Sequence, residues 1–398
     1  MKIGIYGGTF DPPHLGHMAA AAQVKDYLGL DKLILIPAKQ PPHKELDRIS
    51  APPEDRLQMT KMMADGILPT GSVTVDDCEL VREGKSYTAD TVEALATQHP
   101  GDELWLVMGS DMFLSFHTWY APERICAAAH ICGFTRSGRD EVAALEKQAA
   151  YLEQTYGART AVLALPEVVD VSSTQVRKLL EQQDLQATDH LLWSQVLGYI
   201  IRQGLYGVHV DLTHLPDELL RAVSYSMMYA KRIPHVQGTE EEAVKLARRW
   251  GGDVEQARRA AILHDCTKYY TVEEHFAICE KYGVELDRLE RQSEKLLHSK
   301  TGAALACHIF GESKEVQAAI YYHTTGKGDM TVLEKILYLA DYMEPHRDFP
   351  GVERLRALAY TDLDAAVALG CEMSIGEMKE KGREVHPNTQ AALDSLRH

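Results

Sequence analysis

Short apolar runs and amphipathic stretches alternate along the first half of the chain, and the alternation stops near its middle. Residues 3–6, 33–36, 73–75, 104–108, 131–135 and 161–165 are β-rich runs of the length of buried strands, whereas 53–64 and 88–98 space their apolar residues as helices do. This order predicts an α/β fold with a mainly parallel, doubly wound sheet, whose ligands bind beyond the carboxyl ends of the strands. From Pro216 onward strand signals disappear, and segments 241–250, 254–264, 314–322 and 332–342 carry helical periodicity. We therefore expect a first domain over 1–206, a linker over 207–215 and an all-α domain over 216–398, a division that a length of 398 residues accommodates.

Composition narrows the partners. A net charge of -16 and a pI of about 5.6 disfavour a nucleic-acid coat, which needs a basic face, but leave room for small phosphorylated ligands held by local cations. The seven cysteines, Cys78, Cys126, Cys132, Cys266, Cys279, Cys307 and Cys371, are scattered without CxxC pairs and read as reduced thiols that mostly fill core. No apolar run approaches the roughly 20 residues of a membrane span, and the chain opens directly on a strand. The expectation is a cytoplasmic enzyme with neither membrane nor nucleic-acid partners; a homodimer stays open.

The run Tyr6-Gly7-Gly8-Thr9-Phe10-Asp11-Pro12-Pro13-His14-Leu15-Gly16-His17 takes an apolar strand through glycines into a helix start. Glycines let backbone N–H groups approach an anion, and a helix start adds its own donors, so this is phosphate-handling architecture. His14 and His17, three apart, share a face and can reach one polyphosphate, with Gly16 keeping that face bare. Downstream, Ser172, Ser173 and Thr174 can cap a helix whose N–H groups, with Arg177, meet phosphate oxygens.

The first run resembles the HxGH signature of the nucleotidylyltransferases, most closely the bacterial nicotinate-mononucleotide adenylyltransferases. Phosphopantetheine adenylyltransferases usually carry Thr where this chain has His14, which argues against a pantetheine substrate. Val171 to Arg177 resembles the family's ISSTxIR motif with valines at 171 and 176. The resemblance implies a Rossmann-like fold, ATP with Mg2+, and nicotinate mononucleotide as acceptor. It also implies Gly7, Gly8, Thr9 and Phe10 at the nucleotide, Lys44 of Pro41-Pro42-His43-Lys44 near the triphosphate, and Tyr87 and Thr88 at the nicotinate carboxylate. Gly109 and Asp111 would form a ribose-binding turn, and Trp119 would stack on the pyridine. Thr135-Arg136-Ser137-Gly138 departs from the usual Arg-Pro-Gly and puts that loop's ATP contact in doubt. Chemistry of this kind is positioning plus charge stabilisation by His14, His17, Lys44 and Arg177, with no covalent nucleophile.

In the helical half, His235, His264, Asp265, His298, His323 and Asp341 can converge inside a bundle. Imidazole and carboxylate ligands suit iron, manganese or similar divalent ions, one or two if Asp265 bridges. The order H…HD…H…H…D resembles the HD phosphohydrolase superfamily. His323-Thr324-Thr325-Gly326, Tyr338 to Pro345 and Arg347 to Gly351 resemble its symmetrical dinucleoside-tetraphosphatase branch. That resemblance implies hydrolysis of diadenosine tetraphosphate to two ADP, with Lys268, His346 and Arg347 touching phosphate. The residues leave alternatives open: another acceptor or nucleotide in the first half, and in the second a hydrolase for a different nucleotide or a sensor that only binds one. His386-Pro387-Asn388-Thr389 reads as a turn into a last helix without chemistry.

Overall fold

Six strands form one parallel sheet in the order β3-β2-β1-β4-β5-β6: β1 (Lys2–Gly8), β2 (Lys32–Pro37), β3 (Val73–Val75), β4 (Glu103–Gly109), β5 (His130–Thr135) and β6 (Thr160–Ala164). The computed structural model describes residues 1–39, 49–67, 69, 71–82, 86–135, 139–166 and 169–397, with Arg139 and Asp140 described by backbone alone. The chain divides into two compact units, Met1–His209 and Val210–His398.

The sheet is the doubly wound α/β arrangement that the alternating pattern predicts. Its central strands are apolar on both faces because helices cover both, so Ile3, Ile5, Leu33, Leu35, Leu106 and Ile131 are all buried. Ile5 of β1 pairs with Ile34 on one side and Leu106 on the other. Gly133 in β5 has a packing reason: a Cβ there would sit 2.5 Å from the Phe113 ring, which fills the space instead. Strand order reverses on either side of β1, which opens a crevice at the carboxyl ends of β1 and β4. The glycines Gly7, Gly8 and Gly109 end those two strands.

The second unit contains only helices among its described residues. Helix Ile233–Trp250 packs on Val254–Leu263 and Val332–Met343, and Glu294–His308 packs on Lys314–Tyr322. The sequence pattern caught only the later turns of the first of these. Pro234 in its first turn, where the missing N–H costs nothing, starts it earlier than the apolar spacing alone suggests. Glu294–His308 passes the end of Val254–Leu263 at Gly302, where a Cβ would lie 3.4 Å from the His264 carbonyl oxygen, within ordinary contact.

Candidate active sites

In the first unit, the chain leaves β1 at Gly8, passes Phe10 in the left-handed region (φ 48°) and enters helix Leu15–Leu28 through His14 as its N-cap. The His17 N–H donates to His14 Nδ1 and the His14 N–H donates to His17 Nδ1, both at 3.3 Å. The two rings stack with centroids 3.7 Å apart. Because each Nδ1 accepts a backbone hydrogen bond, the neutral ring carries its proton on Nε2. The pair therefore offers two N–H donors on one face, although His14 stands just before the helix.

Asp11 organises the loop between them. Its buried carboxylate accepts from the Ala51 N–H at 3.0 Å and the Tyr206 hydroxyl at 2.9 Å. Arg177 Nη1 donates to the Asp11 carbonyl oxygen at 2.7 Å and lies 3.7 Å from its Oδ2. Ser173 Oγ donates to the Pro12 carbonyl at 3.0 Å, while Ser172 caps helix Ser173–Glu181 by accepting from the Gln175 N–H. Arg56, fully buried, donates to the Thr9, Ala38, Lys39 and Ala51 carbonyls. Burial, then the Asp11 charge, pushes the Tyr206 phenol well above its usual range, so it remains a donor. Neither Arg56 nor Tyr206 belongs to a recognisable motif.

Two cavities meet here. One of about 360 Å³ lies between the histidine pair and Ser172, Ser173, Thr174 and Arg177. The other, of about 520 Å³, is lined by Gly7, Gly8, Tyr87, Thr88, Trp119 and Tyr120. Thr9, His17 and Gly109 border both. Helix Thr88–Gln98 begins at the second cavity with no side-chain cap from Tyr87, which leaves first-turn N–H groups for a ligand anion. Trp119 is half-buried against Phe116, and Tyr87 packs on Tyr120 with centroids 4.4 Å apart. A Cβ on Gly7 would meet nothing within 4 Å, whereas one on Gly8 would press on the Phe10 ring. Asp111 lies on helix Ser110–Ser115 beside the first cavity; the expected turn is a helix start. Glu79, which no motif flagged, also lines the second cavity. Burial raises its carboxyl, and it accepts from the Thr91 hydroxyl at 2.9 Å. Lys44 and residues 136–138 lie outside the described residues.

In the second unit, the six residues picked from the sequence come together. His235 Nε2 lies 3.3 Å from His264 Nε2, 3.8 Å from Asp265 Oδ2 and 3.0 Å from Asp341 Oδ1. On the other carboxylate oxygen, Asp265 Oδ1 is 3.1 Å from His298 Nε2 and 4.0 Å from His323 Nε2, with those nitrogens 3.2 Å apart. Asp265 thus stands between two ligand groups, each tight enough to hold an ion. The donor set fits. His264 Nδ1–H donates to the Ala261 carbonyl at 2.6 Å, His323 Nδ1–H to the Ile320 carbonyl at 2.7 Å and His235 Nδ1–H to Glu344 at 3.1 Å, so all three Nε2 lone pairs point inward. Asp265 Oδ1, fully buried, makes no well-directed hydrogen bond among the described residues, as a carboxylate oxygen meant for a cation would.

Electrostatics agree with that assignment. Burial opposes ionisation of Asp265 and Asp341, but the surrounding imidazoles, and Lys268 for Asp265, hold both carboxyls well below the usual range. Burial pushes the His235, His298 and His323 imidazoles down, the direction that frees a ring nitrogen for an ion. The expected phosphate contacts are turned onto the ligands: Lys268 Nζ is 3.4 Å from Asp265 Oδ1 and 3.2 Å from His298 Nε2, and Arg347 Nη2 is 3.1 Å from Asp341 Oδ1. His346 is exposed beside Glu344. Two residues outside the six also act at this centre. Arg232 Nε donates to Asp265 Oδ2 at 2.6 Å, and Glu344 orients His235 through a close approach that Gly238 permits, since a Cβ there would lie 2.6 Å from Glu344 Oε2.

Residues 5–179 match the cytidylyltransferase-like family and residues 232–345 match the HD domain. A "Probable nicotinate-nucleotide adenylyltransferase" of Desulfatibacillum aliphaticivorans is 35% identical over 223 residues, covering 52% of this chain and 100% of the relative. The chain belongs to the nicotinate-nucleotide adenylyltransferase family. Another family member, from Halalkalibacterium halodurans, is 36% identical over 205 residues, covering 52% of this chain and 91% of its own. A solved Clostridium acetobutylicum structure, described as a "predicted HD superfamily hydrolase involved in NAD metabolism", is 36% identical and covers 46% of this chain and 97% of its own, with a TM-score of 0.45. In this adenylyltransferase-family chain, the cytidylyltransferase-like match lies within the first unit and the HD domain within the second. No helix among the described residues is long and apolar enough to cross a membrane.

Proposed function

We propose that this chain carries two activities: transfer of AMP from ATP to nicotinate mononucleotide, giving nicotinate adenine dinucleotide and pyrophosphate, and hydrolysis of diadenosine tetraphosphate to two ADP. The observation that carries the first is the meeting of a polar cavity and an aromatic one at His17 and Gly109. ATP, as its magnesium complex, would lie in the polar cavity and the pyridine nucleotide in the aromatic one. An acceptor phosphate oxygen attacks the α-phosphorus, the α–β bridge breaks and pyrophosphate leaves. That oxygen is already anionic, so no general base is required. His14 and His17 donate from Nε2 to the phosphoryl oxygens, and Arg177, aimed by Asp11, offsets the developing charge.

For the second activity, the carrying observation is the placement of Asp265 between His235 and His264 on one side and His298 and His323 on the other. Two divalent ions held there, iron or manganese with Asp341 as a further ligand, would supply Lewis acidity toward phosphate and lower the pKa of water. Lys268, Arg232 and Arg347 sit on the ligand carboxylates, where their charges also favour approach of a polyphosphate.

Incubation with each substrate set, followed by product identification, tests both. Nicotinate mononucleotide plus ATP should yield the dinucleotide, and preference for CTP or for another acceptor would refute the first assignment. Diadenosine tetraphosphate with manganese or iron should yield ADP alone. Release of AMP plus ATP, or nucleotide binding without turnover at full metal occupancy, would refute the second.

A further inference from the structure

A second feature of the helical unit has no part in the ligand set: a cavity of about 680 Å³, in the range that holds a nucleoside. None of the six ligands lines it, but their chain neighbours do. Leu297 precedes His298, and Thr324 and Thr325 follow His323; all three line the cavity. The two ligand-bearing segments are tied there by the Thr324 hydroxyl donating to Ser299 Oγ at 3.2 Å. Leu296, Ile375 and Met378 give it apolar sides. Arg291, Lys295 and Arg383 also line it, in a chain whose net charge is -16. Of the two lining glutamates, Glu384 is neutralised by Arg288 at 2.6 Å, which leaves Glu294. Neither the Lys295 nor the Arg383 side chain makes a direct ion pair or hydrogen bond among the described residues; their fields fall on Glu377. Apolar walls beside unpaired cations, adjoining ligands for divalent ions, match a base and ribose followed by a phosphate chain.

We propose that this cavity seats one nucleoside half of the hydrolase substrate, with Lys295 and Arg383 on its phosphates. The assignment rests on the nucleotide-hydrolase reading of the metal centre and extends it to the residues that choose the substrate. Lys295 and Arg383 are binding residues here, and the centre's own ligands are untouched by their loss.

The test uses the full chain loaded with manganese. K295Q, R383Q and the double variant are compared with wild type for diadenosine tetraphosphate, for the small diester bis(p-nitrophenyl) phosphate and for bound metal. The double variant should raise KM for the tetraphosphate by about tenfold or more, as loss of charge-assisted phosphate contacts does. Its kcat, its metal content and its activity on the small diester should be unchanged. S374W, which fills the cavity from helix Leu363–Glu380, should act in the same direction. An unchanged KM in both the double variant and S374W overturns the proposal. If wild type cleaves the small diester but not the tetraphosphate, the proposed substrate is wrong, and calorimetric titration with ADP then decides the cavity. Loss of one class of ADP site in S374W supports it, and unchanged binding overturns it.

Discussion

Removing one hydroxyl, in Tyr206→Phe, should loosen the nucleotide site of the first unit from a distance. Tyr206 donates at 2.9 Å to Asp11, a buried carboxylate that also holds the Ala51 N–H and faces Arg177. A hydrogen bond to a charged, buried acceptor contributes about 1.5–3 kcal/mol. Because Asp11 keeps its other partners, the loss should stay below the roughly 3–5 kcal/mol of a broken buried ion pair. At about 2–4 °C per kcal/mol for a unit of this size, the first-unit melting transition should fall by about 3–12 °C. The Asp11 carbonyl aims Arg177 and Pro12 anchors Ser173, so dinucleotide synthesis should slow by about tenfold while tetraphosphate hydrolysis is unaffected. A double-mutant cycle with Asp11→Asn isolates the contact, and its coupling should be about 1 kcal/mol or more. Melting within about 1 °C of wild type together with zero coupling would refute the reasoning.

Other outcomes are equally definite. His17→Ala should abolish dinucleotide synthesis and spare hydrolysis, while Asp265→Ala should do the reverse and lower bound metal; loss of both activities in either variant would show that the sites are not separable. Glu344→Gln weakens the partner that orients His235 and should reduce metal affinity by about 10–100-fold, measured by metal titration, and undiminished affinity would remove Glu344 from the centre. Burial pushes the His275 imidazole down to about 4, against about 6.5 in an unfolded chain. The folded state therefore binds fewer protons, so this contribution is complete above pH about 6.5 and is lost as pH falls toward about 4, by up to roughly 3 kcal/mol. His275→Asn should flatten the acid limb of second-unit stability in thermal melts across that range, and an unchanged limb would exclude His275 as its source.

How much could be read from the chain depended on whether a property was local. Strands and helices were legible because buried parallel strands are apolar throughout and helices repeat every 3.6 residues. His14 and His17, and Ser172 to Arg177, stand in short runs whose chemistry can be read locally, whereas the six ligand candidates from His235 to Asp341 stand out by residue type and order along the chain. Arg56, Tyr206 and Glu79 were not, since each acts through partners far away in sequence: Arg56 reaches back to Thr9, and Tyr206 meets Asp11 across 195 positions. Glu344 and Arg232 stood beside recognised residues, yet only folding turns them toward His235 and Asp265. His386 has the sequence context of a plain turn. It caps helix Pro387–Ser395, lines the 680 Å³ cavity and stands 3.0 Å from Asp287. Pairings of that kind follow from packing, which no local pattern encodes.

The two units use the same side chain in opposite tautomers. Where Nδ1 faces a backbone N–H, as in His14 and His17, the outer nitrogen is occupied by hydrogen; where Nδ1 faces a carbonyl, as in His264 and His323, the outer nitrogen is bare. The same ring thus turns an N–H group outward in the first unit, which suits an anion, and a lone pair outward in the helical unit, which suits a cation.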